Sequence, residues 1–166
     1  MKIRGFSIVA LSLLCHFPLA SSADCTMRPA PIDVGRIAQR PEVKSYTVDA
    51  NKLGVTALLK NGRALRLVHM GCAHSGAEAA LWFESKTPPT DVGKWINEAV
   101  VLANLAFSPD ISKDIERSLK SGAYKKEVTN NRLVITASPT TFFSYTIVLE
   151  PEGYRAILSI VYSIGG

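Results

Sequence analysis

The sequence is poor in the residues that usually reveal an active site. Its 166 residues include three cysteines and three histidines, and one of each stands at positions 15 and 16. It contains no Cys-x-x-Cys, His-Glu-x-x-His or Gly-x-Ser-x-Gly pattern and no glycine-rich phosphate-binding loop. We therefore expect no cofactor, and a function in binding rather than in catalysis.

Clustered positive charge is lacking as well. The formal net charge is +5, but Lys and Arg are spread along the chain, and only Lys125 and Lys126 are adjacent. Nucleic-acid-binding proteins concentrate basic residues on one face and interleave them with aromatic residues. We therefore expect a protein partner rather than a nucleic acid.

No Ser/Gly tract or charge block marks a linker, so we expect one domain.

Residues 1–23 have the layout of a cleavable signal peptide. Lys2 and Arg4 precede an apolar run from Phe6 to Leu14, and small residues follow up to Ala23. The apolar run is too short to span a bilayer comfortably, since a spanning helix needs about 20 apolar residues. Asp24 before Cys25 is unsuited to lipidation. Cleavage removes 23 of the 166 residues and leaves 24–166, 143 residues, in the periplasm or secreted, without a stable membrane anchor.

Two cysteines, Cys25 and Cys72, remain after cleavage. An even number of cysteines in an oxidising compartment favours a disulfide. A Cys25–Cys72 bridge would attach the N-terminal segment to the body of the domain.

The first half of the mature chain reads as β-structure. Residues 26–42 carry three prolines and predict an irregular lead-in, and Val43–Asp49 predicts an edge strand. Asn61-Gly62 favours a two-residue hairpin turn, which would place Leu58 opposite Leu65 and both on one face with Leu67 and His69. After a loop over Gly71–Gly76, a further strand is predicted over Ala77–Phe83.

Helical spacing replaces this pattern from Asp91 onward. Apolar residues recur at period 3.6 up to Phe107 and predict a largely buried helix. Ser108-Pro109 then reads as the N-cap and first residue of a second, amphipathic helix that ends near Gly122. Its charged residues indicate a solvated face.

The last third returns to strands. The predicted strands are Tyr124–Thr129, Arg132–Ser138, Phe142–Leu149 and Tyr154–Ile164. Asn130-Asn131 and Glu150–Gly153 are the predicted turns, and the last two strands should lie in the middle of a sheet. The fold class is therefore α+β: antiparallel hairpins, two central helices, then a second set of antiparallel strands, packed as one domain.

Five aromatic residues occupy positions typical of a core. This interpretation covers Trp82, Trp95, Phe142, Phe143 and Tyr145.

The carboxylates show no catalytic pairing. Glu78 and Glu84 are predicted on one face of one strand, about 20 Å apart at about 3.3 Å per residue, which is too far for a glycosidase pair.

The segment His69–Gly76 contains both remaining histidines around Cys72. The simplest interpretation is structural: Gly71 and Gly76 permit a tight loop, and Cys72 is bridged. Such a pinned loop is also a candidate contact surface for a partner, formed by His69, Gly71, His74, Ser75 and Gly76.

Two chemical alternatives use the same segment. His69, Cys72 and His74 could bind zinc, but their spacing on a strand would not gather them. Cys72 or Ser75 could act as a nucleophile, with a histidine as base and Glu78 or Glu84 as the orienting group. No local pattern establishes that geometry.

These observations predict a small exported binding protein that is not an enzyme, of the inhibitor or immunity type, acting on a protein partner. The first alternative is a small metal- or thiol-dependent enzyme using residues His69–Ser75. The second is a subunit of a cell-envelope assembly, whose sign would be a broad exposed apolar patch.

Overall fold

The computed structural model describes residues 29–71 and 75–165, which are organised by one eight-stranded antiparallel sheet. The strands are β1 (Val43–Val48), β2 (Gly54–Leu59), β3 (Ala64–Gly71), β4 (Ser75–Glu84), β5 (Lys125–Thr129), β6 (Arg132–Thr140), β7 (Phe143–Glu152) and β8 (Arg155–Ile164). The helices are α1 (Val34–Ala38), α2 (Val92–Ala106) and α3 (Pro109–Ser121). The predicted α+β class is confirmed.

The sheet consists of two four-stranded meanders joined at its centre. The strand order is β1-β2-β3-β4-β8-β7-β6-β5, so β4 pairs with β8 and the edges are β1 and β5. The prediction of an edge strand after residue 42 is confirmed, and so is the central position of the last strand. Each meander follows a helix, α1 before β1 and α3 before β5.

One face of the sheet is covered by the helices. Directly paired residues of an antiparallel sheet point to the same side. One such row crosses all eight strands through Tyr46, Ala57, Leu65, Leu81, Leu158, Leu149, Leu133 and Val128. The inner six are buried in a core that also contains Trp95 and Leu102 of α2 and Ile115 of α3. We call this side the helix-covered face.

The two long helices begin and end as the sequence predicts. The Asp91 side chain caps α2 by accepting from the Lys94 backbone N–H at 3.3 Å. Pro109 is the first residue of α3, and Gly122 ends that helix at φ 74°. Ser108 occupies the N-cap position, but its side chain forms no capping hydrogen bond.

The predicted two-residue turn at Asn130-Asn131 is confirmed. Two local predictions are wrong. The lead-in contains α1, because Asp33 caps it and Ile37 is buried in the core. β7 continues through residue 152, and its turn to β8 is Gly153-Tyr154. Pro151 is tolerated in β7 because the pairing with β6 stops at Leu149.

The hairpin between β2 and β3 has a different register from the predicted one. Three residues, Lys60 to Gly62, separate Leu59 from Arg63, whose carbonyl accepts from the Leu59 N–H at 2.8 Å. Leu65 therefore pairs with Ala57, not with Leu58. This shift of one residue places Leu58 on the side opposite the helices.

Candidate protein-binding face

The other side of the sheet has no helix of the described residues packed on it. We call it the open face, and its central residues are Leu58, Ala64, Arg66, Val68, Glu78, Ala80, Trp82, Val134, Val148, Ile157, Ser159 and Val161. They alternate along each strand with the residues of the helix-covered face.

Large apolar side chains line up across the open face. One row runs through Leu58, Ala64, Trp82 and Ile157, on four successive strands. Trp82 is 37% exposed and Leu58 is 40% exposed, although both lie in the interior of the sheet. Tryptophan at the centre of an exposed surface is typical of residues that dominate protein–protein binding energy.

The next rows mix apolar residues with polar ones, which include Thr56, Arg66, Thr146 and Thr136. Ala80 pairs with Ser159, which pairs with Val148, and Val148 pairs with Val134. The row on the other side passes through Val68, Glu78 and Val161. None of these side chains belongs to the hydrophobic core cluster.

An antiparallel sheet with one solvated side normally carries polar residues there. Here aliphatic and aromatic residues hold many of those positions, so the open face has the composition of a contact surface. The dimensions of the open face also fit those of a contact surface. Eight strands about 4.8 Å apart and about eight residues long cover on the order of 800–900 Å². A standard interface buries about 800 Å² on each partner.

One charged pair on the open face is neutralised internally. The Arg66 guanidinium holds Asp49 through two contacts, of 2.8 and 2.5 Å, and donates to the Thr56 hydroxyl at 2.9 Å. This hydrogen bonding lowers the pKa of Asp49 and raises that of Arg66. Gly54 leaves room for the pair, because a Cβ there would displace the Asp49 carboxylate and the Arg66 guanidinium.

The β5 edge of the sheet is less suited to binding than the open face. All five residues of β5 are exposed, and Lys125, Lys126 and Glu127 are charged. Charged residues on a short edge strand oppose the addition of another strand. A partner therefore has more to gain from the apolar surface than from the edge.

The segment that the sequence singles out lies at one end of the sheet. Gly71 pairs with Ser75 and Met70 pairs with Gly76, so the strands continue further into the predicted Gly71–Gly76 loop than expected. Cys72 and His74 lie outside the described residues. Gly76 is on the open face, where a Cβ would collide with the Tyr162 carbonyl oxygen.

His69 has a structural role. It is half-buried on the helix-covered face, and its Nδ1 lies 2.8 Å from the Ala30 carbonyl oxygen. A carbonyl can only accept, so this ring nitrogen carries the hydrogen. The contact joins β3 to the segment before α1. In the sequence, His69 is close to Cys72, and Ala30 is close to Cys25. Both cysteines lie outside the described residues.

The proposed catalytic and metal sets are not assembled among the described residues. Ser75 points to the helix-covered face, whereas Glu78 and Glu84 point to the open face. The prediction that these two carboxylates share a face is confirmed. No group of three candidate metal-binding side chains occurs in 29–71 and 75–165.

An aromatic cluster fills the same end of the helix-covered face. Tyr162 stacks edge-on against Phe107 with 4.9 Å between ring centroids, and Phe143 lies 6.1 Å from both Tyr145 and Tyr162. Burial raises the pKa of both tyrosines. The buried hydroxyl of Tyr145 interacts with the Ser118 side chain without forming a hydrogen bond of standard geometry. The cluster is part of the packing between α1, α2 and the sheet.

A cavity of about 590 Å³ lies where β5 leaves β6. It is lined by residues 122–125 and 136–138, among which Lys125 is the only charged side chain. Such a lining provides no convergent set of polar groups, so this cavity is a weaker candidate than the open face.

The sequence interpretation placed Trp82 and Phe142 in the core, and this was wrong. Trp95, Phe143 and Tyr145 are buried as predicted, but Phe142 is 64% exposed and Trp82 lies on the open face. A signal was present in the sequence. β4 and β8 are apolar at both odd and even positions, which indicates a strand with two apolar sides.

No described helix is long and apolar enough to cross a membrane. Comparison with family models, curated proteins and solved structures finds no match to this chain. The function is therefore argued from the geometry of the molecule.

Proposed function

We propose that this protein is an exported binding protein without enzymatic activity, whose open face docks on a protein partner. The main observation is the apolar row through Leu58, Ala64, Trp82 and Ile157, with Trp82 exposed on the central strand β4. Burial of apolar surface is worth about 25 cal/mol per Å² before the costs of association.

The rigidity of the sheet supports this function. Every interior strand is paired on both sides, and the helices fix the sheet from behind. A preformed surface loses little conformational entropy on binding, which suits an inhibitor or immunity-type protein. Met70 and Gly76 extend the open face to the end of the sheet where the His69–Gly76 segment lies, whereas His69 and Ser75 point to the helix-covered face.

The same observation supports a subunit of a cell-envelope assembly. A broad apolar patch fits a permanent neighbour as well as a regulated partner. The two functions differ in stoichiometry. A subunit co-elutes quantitatively with its complex in size-exclusion chromatography of the native envelope fraction, whereas an inhibitor is also found free.

Quantitative co-purification from the native exported fraction tests the proposal. Tagged protein is compared with the Leu58→Ser and Trp82→Ser variants, and with Val101→Ser as a matched control. Val101 is 54% exposed on α2, away from the open face. We expect both open-face variants to lose the same partner, with affinity lower by about thirty-fold for Trp82→Ser, since an interface hot spot contributes about 2 kcal/mol or more.

The control variant should retain that partner at the wild-type level. Far-UV circular dichroism establishes that all variants are folded. A partner retained by both open-face variants and lost by Val101→Ser would contradict the proposal and direct attention to the helices.

A further inference from the structure

Glu78 is the unusual residue of the open face. It lies on β4 between Val68 of β3 and Val161 of β8, and its side chain is half-buried. Among the described residues no Lys, Arg or His forms an ion pair with it; the ion pairs involve other carboxylates. Among the described residues Glu78 is therefore a carboxylate without a counter-ion whose directly paired neighbours are two valines, and Glu84 is the other carboxylate of β4 on this face.

Arg66, the cation diagonal to Glu78 in the sheet, already forms an ion pair with Asp49. Arg66 lies two residues along β3 from Val68, the residue paired with Glu78, and it is held by Asp49 and Thr56. Gly54 leaves room for that arrangement, which keeps the guanidinium directed toward β1 and β2. The charge of Glu78 is thus not compensated by its neighbours.

A partner that covers the open face would remove water from this carboxylate. Burying an unpaired charge costs several kcal/mol, whereas a buried charge with a well-placed counter-ion does not carry that cost. An apolar partner without a cation would therefore bind poorly despite the area it buries.

Charge also decides against a second copy of this chain. A symmetric dimer with its two-fold axis through the centre of the open face would bring two Glu78 carboxylates together. Like charges facing each other across an interface are unfavourable. The occupant favoured by this surface is a segment of a different protein.

We infer that the partner of the open face contributes a Lys or Arg flanked by apolar side chains, and that this cation pairs with Glu78 between Val68 and Val161. The inference rests on the proposed function and specifies the partner's chemistry. Glu78 acts as a selectivity residue: apolar contacts around Trp82 supply affinity, and the carboxylate excludes segments that carry an acidic residue at that point.

The test uses a random peptide library displayed on phage as the probe. The library is panned on the full mature protein, with counter-selection on the Trp82→Ser variant. We expect the Trp82-dependent peptides to be enriched in Lys and Arg among apolar residues, and depleted in Asp and Glu.

Selected peptides are then synthesised with the basic residue and with norleucine in its place. Their affinities for wild type and for Glu78→Gln form a double-mutant cycle, measured by calorimetry. Either change alone should weaken binding by about thirty-fold or more, and the second change should add little, because both remove one ion pair.

The outcomes separate the two proposals. Trp82-dependent peptides without basic enrichment, or with equal affinity for wild type and Glu78→Gln, overturn the role of Glu78 and leave the open face as a binding surface. The absence of Trp82-dependent peptides overturns both. A Trp82-dependent dimer of the free protein in light scattering would identify a second copy as the occupant and also overturn the inference.

Discussion

Single glycines determine how closely the strands at the His69–Gly76 end can approach. Gly76 faces the Tyr162 carbonyl, whose carbon lies 3.3 Å from the position that a Cβ would take and whose oxygen is closer still. Backbone atoms of a central strand cannot move aside easily, so a methyl group here strains the β4–β8 pairing. The primary role of Gly76 is therefore packing.

We predict that Gly76→Ala lowers the free energy of unfolding by about 1–3 kcal/mol. Gly93→Ala is the matched control, because a Cβ at Gly93 meets no atom within 4 Å and alanine favours the helix. Urea denaturation measures both. If the Gly76→Ala variant were as stable as Gly93→Ala, β4 and β8 would have room for a methyl group at Gly76, contrary to this account.

The buried Tyr145 hydroxyl interacts with the Ser118 side chain, but no hydrogen bond of standard geometry joins them. A poorly bonded buried hydroxyl is unfavourable, so we predict that Tyr145→Phe stabilises the protein at neutral pH by up to about 1 kcal/mol. Urea denaturation at neutral pH is the measurement. A loss of more than about 1 kcal/mol would mean that the hydroxyl makes a bond important for stability.

The same residue determines part of the alkaline stability. Burial raises the pKa of Tyr145 in the folded protein, so the unfolded chain loses this proton first as the pH increases. The stability is complete below the ordinary tyrosine pKa of about 10 and decreases as the pH rises toward the folded value. Tyr145→Phe should flatten this decrease in urea titrations between neutral and alkaline pH. Burial also raises the pKa of Tyr162, so part of the decrease in stability should remain in the Tyr145→Phe variant.

At the scale of the elements, the two long helices begin differently. The Asp91 carboxylate satisfies a backbone N–H at the start of α2, whereas the Ser108 side chain satisfies none at the start of α3. We predict that Asp91→Ala costs about 1 kcal/mol of stability and that Ser108→Ala costs less than about 0.5 kcal/mol. Thermal or urea unfolding distinguishes them, and equal losses would contradict the assignment of the caps.

The strands illustrate what a sequence pattern can and cannot establish. Asn61-Gly62 correctly predicts a hairpin, but whether the loop has two or three residues is set by packing of the whole meander. Within this loop only Gly62 has a positive φ, of 83°. The Asn61 side chain accepts a hydrogen bond from the Arg63 N–H at 3.1 Å. A shift of one residue moves every side chain of a strand to the other face. This is why the exposure of Leu58 could not be predicted.

Helices were easier to predict than the faces of the sheet. Their 3.6-residue period, the Pro109 start and the Gly122 stop are local signals, and the structure confirms them. The burial of Trp82 depends instead on which side of β4 the helices cover, and that is settled by contacts distant in sequence. The alternation in β4 and β8, apolar on both sides, indicated a second apolar surface without locating it.

At the scale of the whole molecule, export and the disulfide stay predictions from the sequence. We expect the exported protein to begin at Asp24 and to have a mass two hydrogens below that of the reduced chain, because Cys25 and Cys72 are joined. Intact mass spectrometry before and after alkylation under native conditions measures both. An alkylatable thiol or bound metal in the native protein would contradict the bridge and favour the metal- or thiol-dependent enzyme.

The eight-stranded sheet divides the molecule into a packed side and an apolar open side. The central claim is that the open side is where a protein partner docks. Photo-crosslinking in the cells that produce the protein tests it most directly, with a benzophenone amino acid placed at position 58, at position 161 or, as the control, at position 101.

We predict that positions 58 and 161 yield the same crosslinked polypeptide and that position 101, exposed on α2, yields none of it. A polypeptide captured from position 101, with none captured from positions 58 and 161, would contradict the claim.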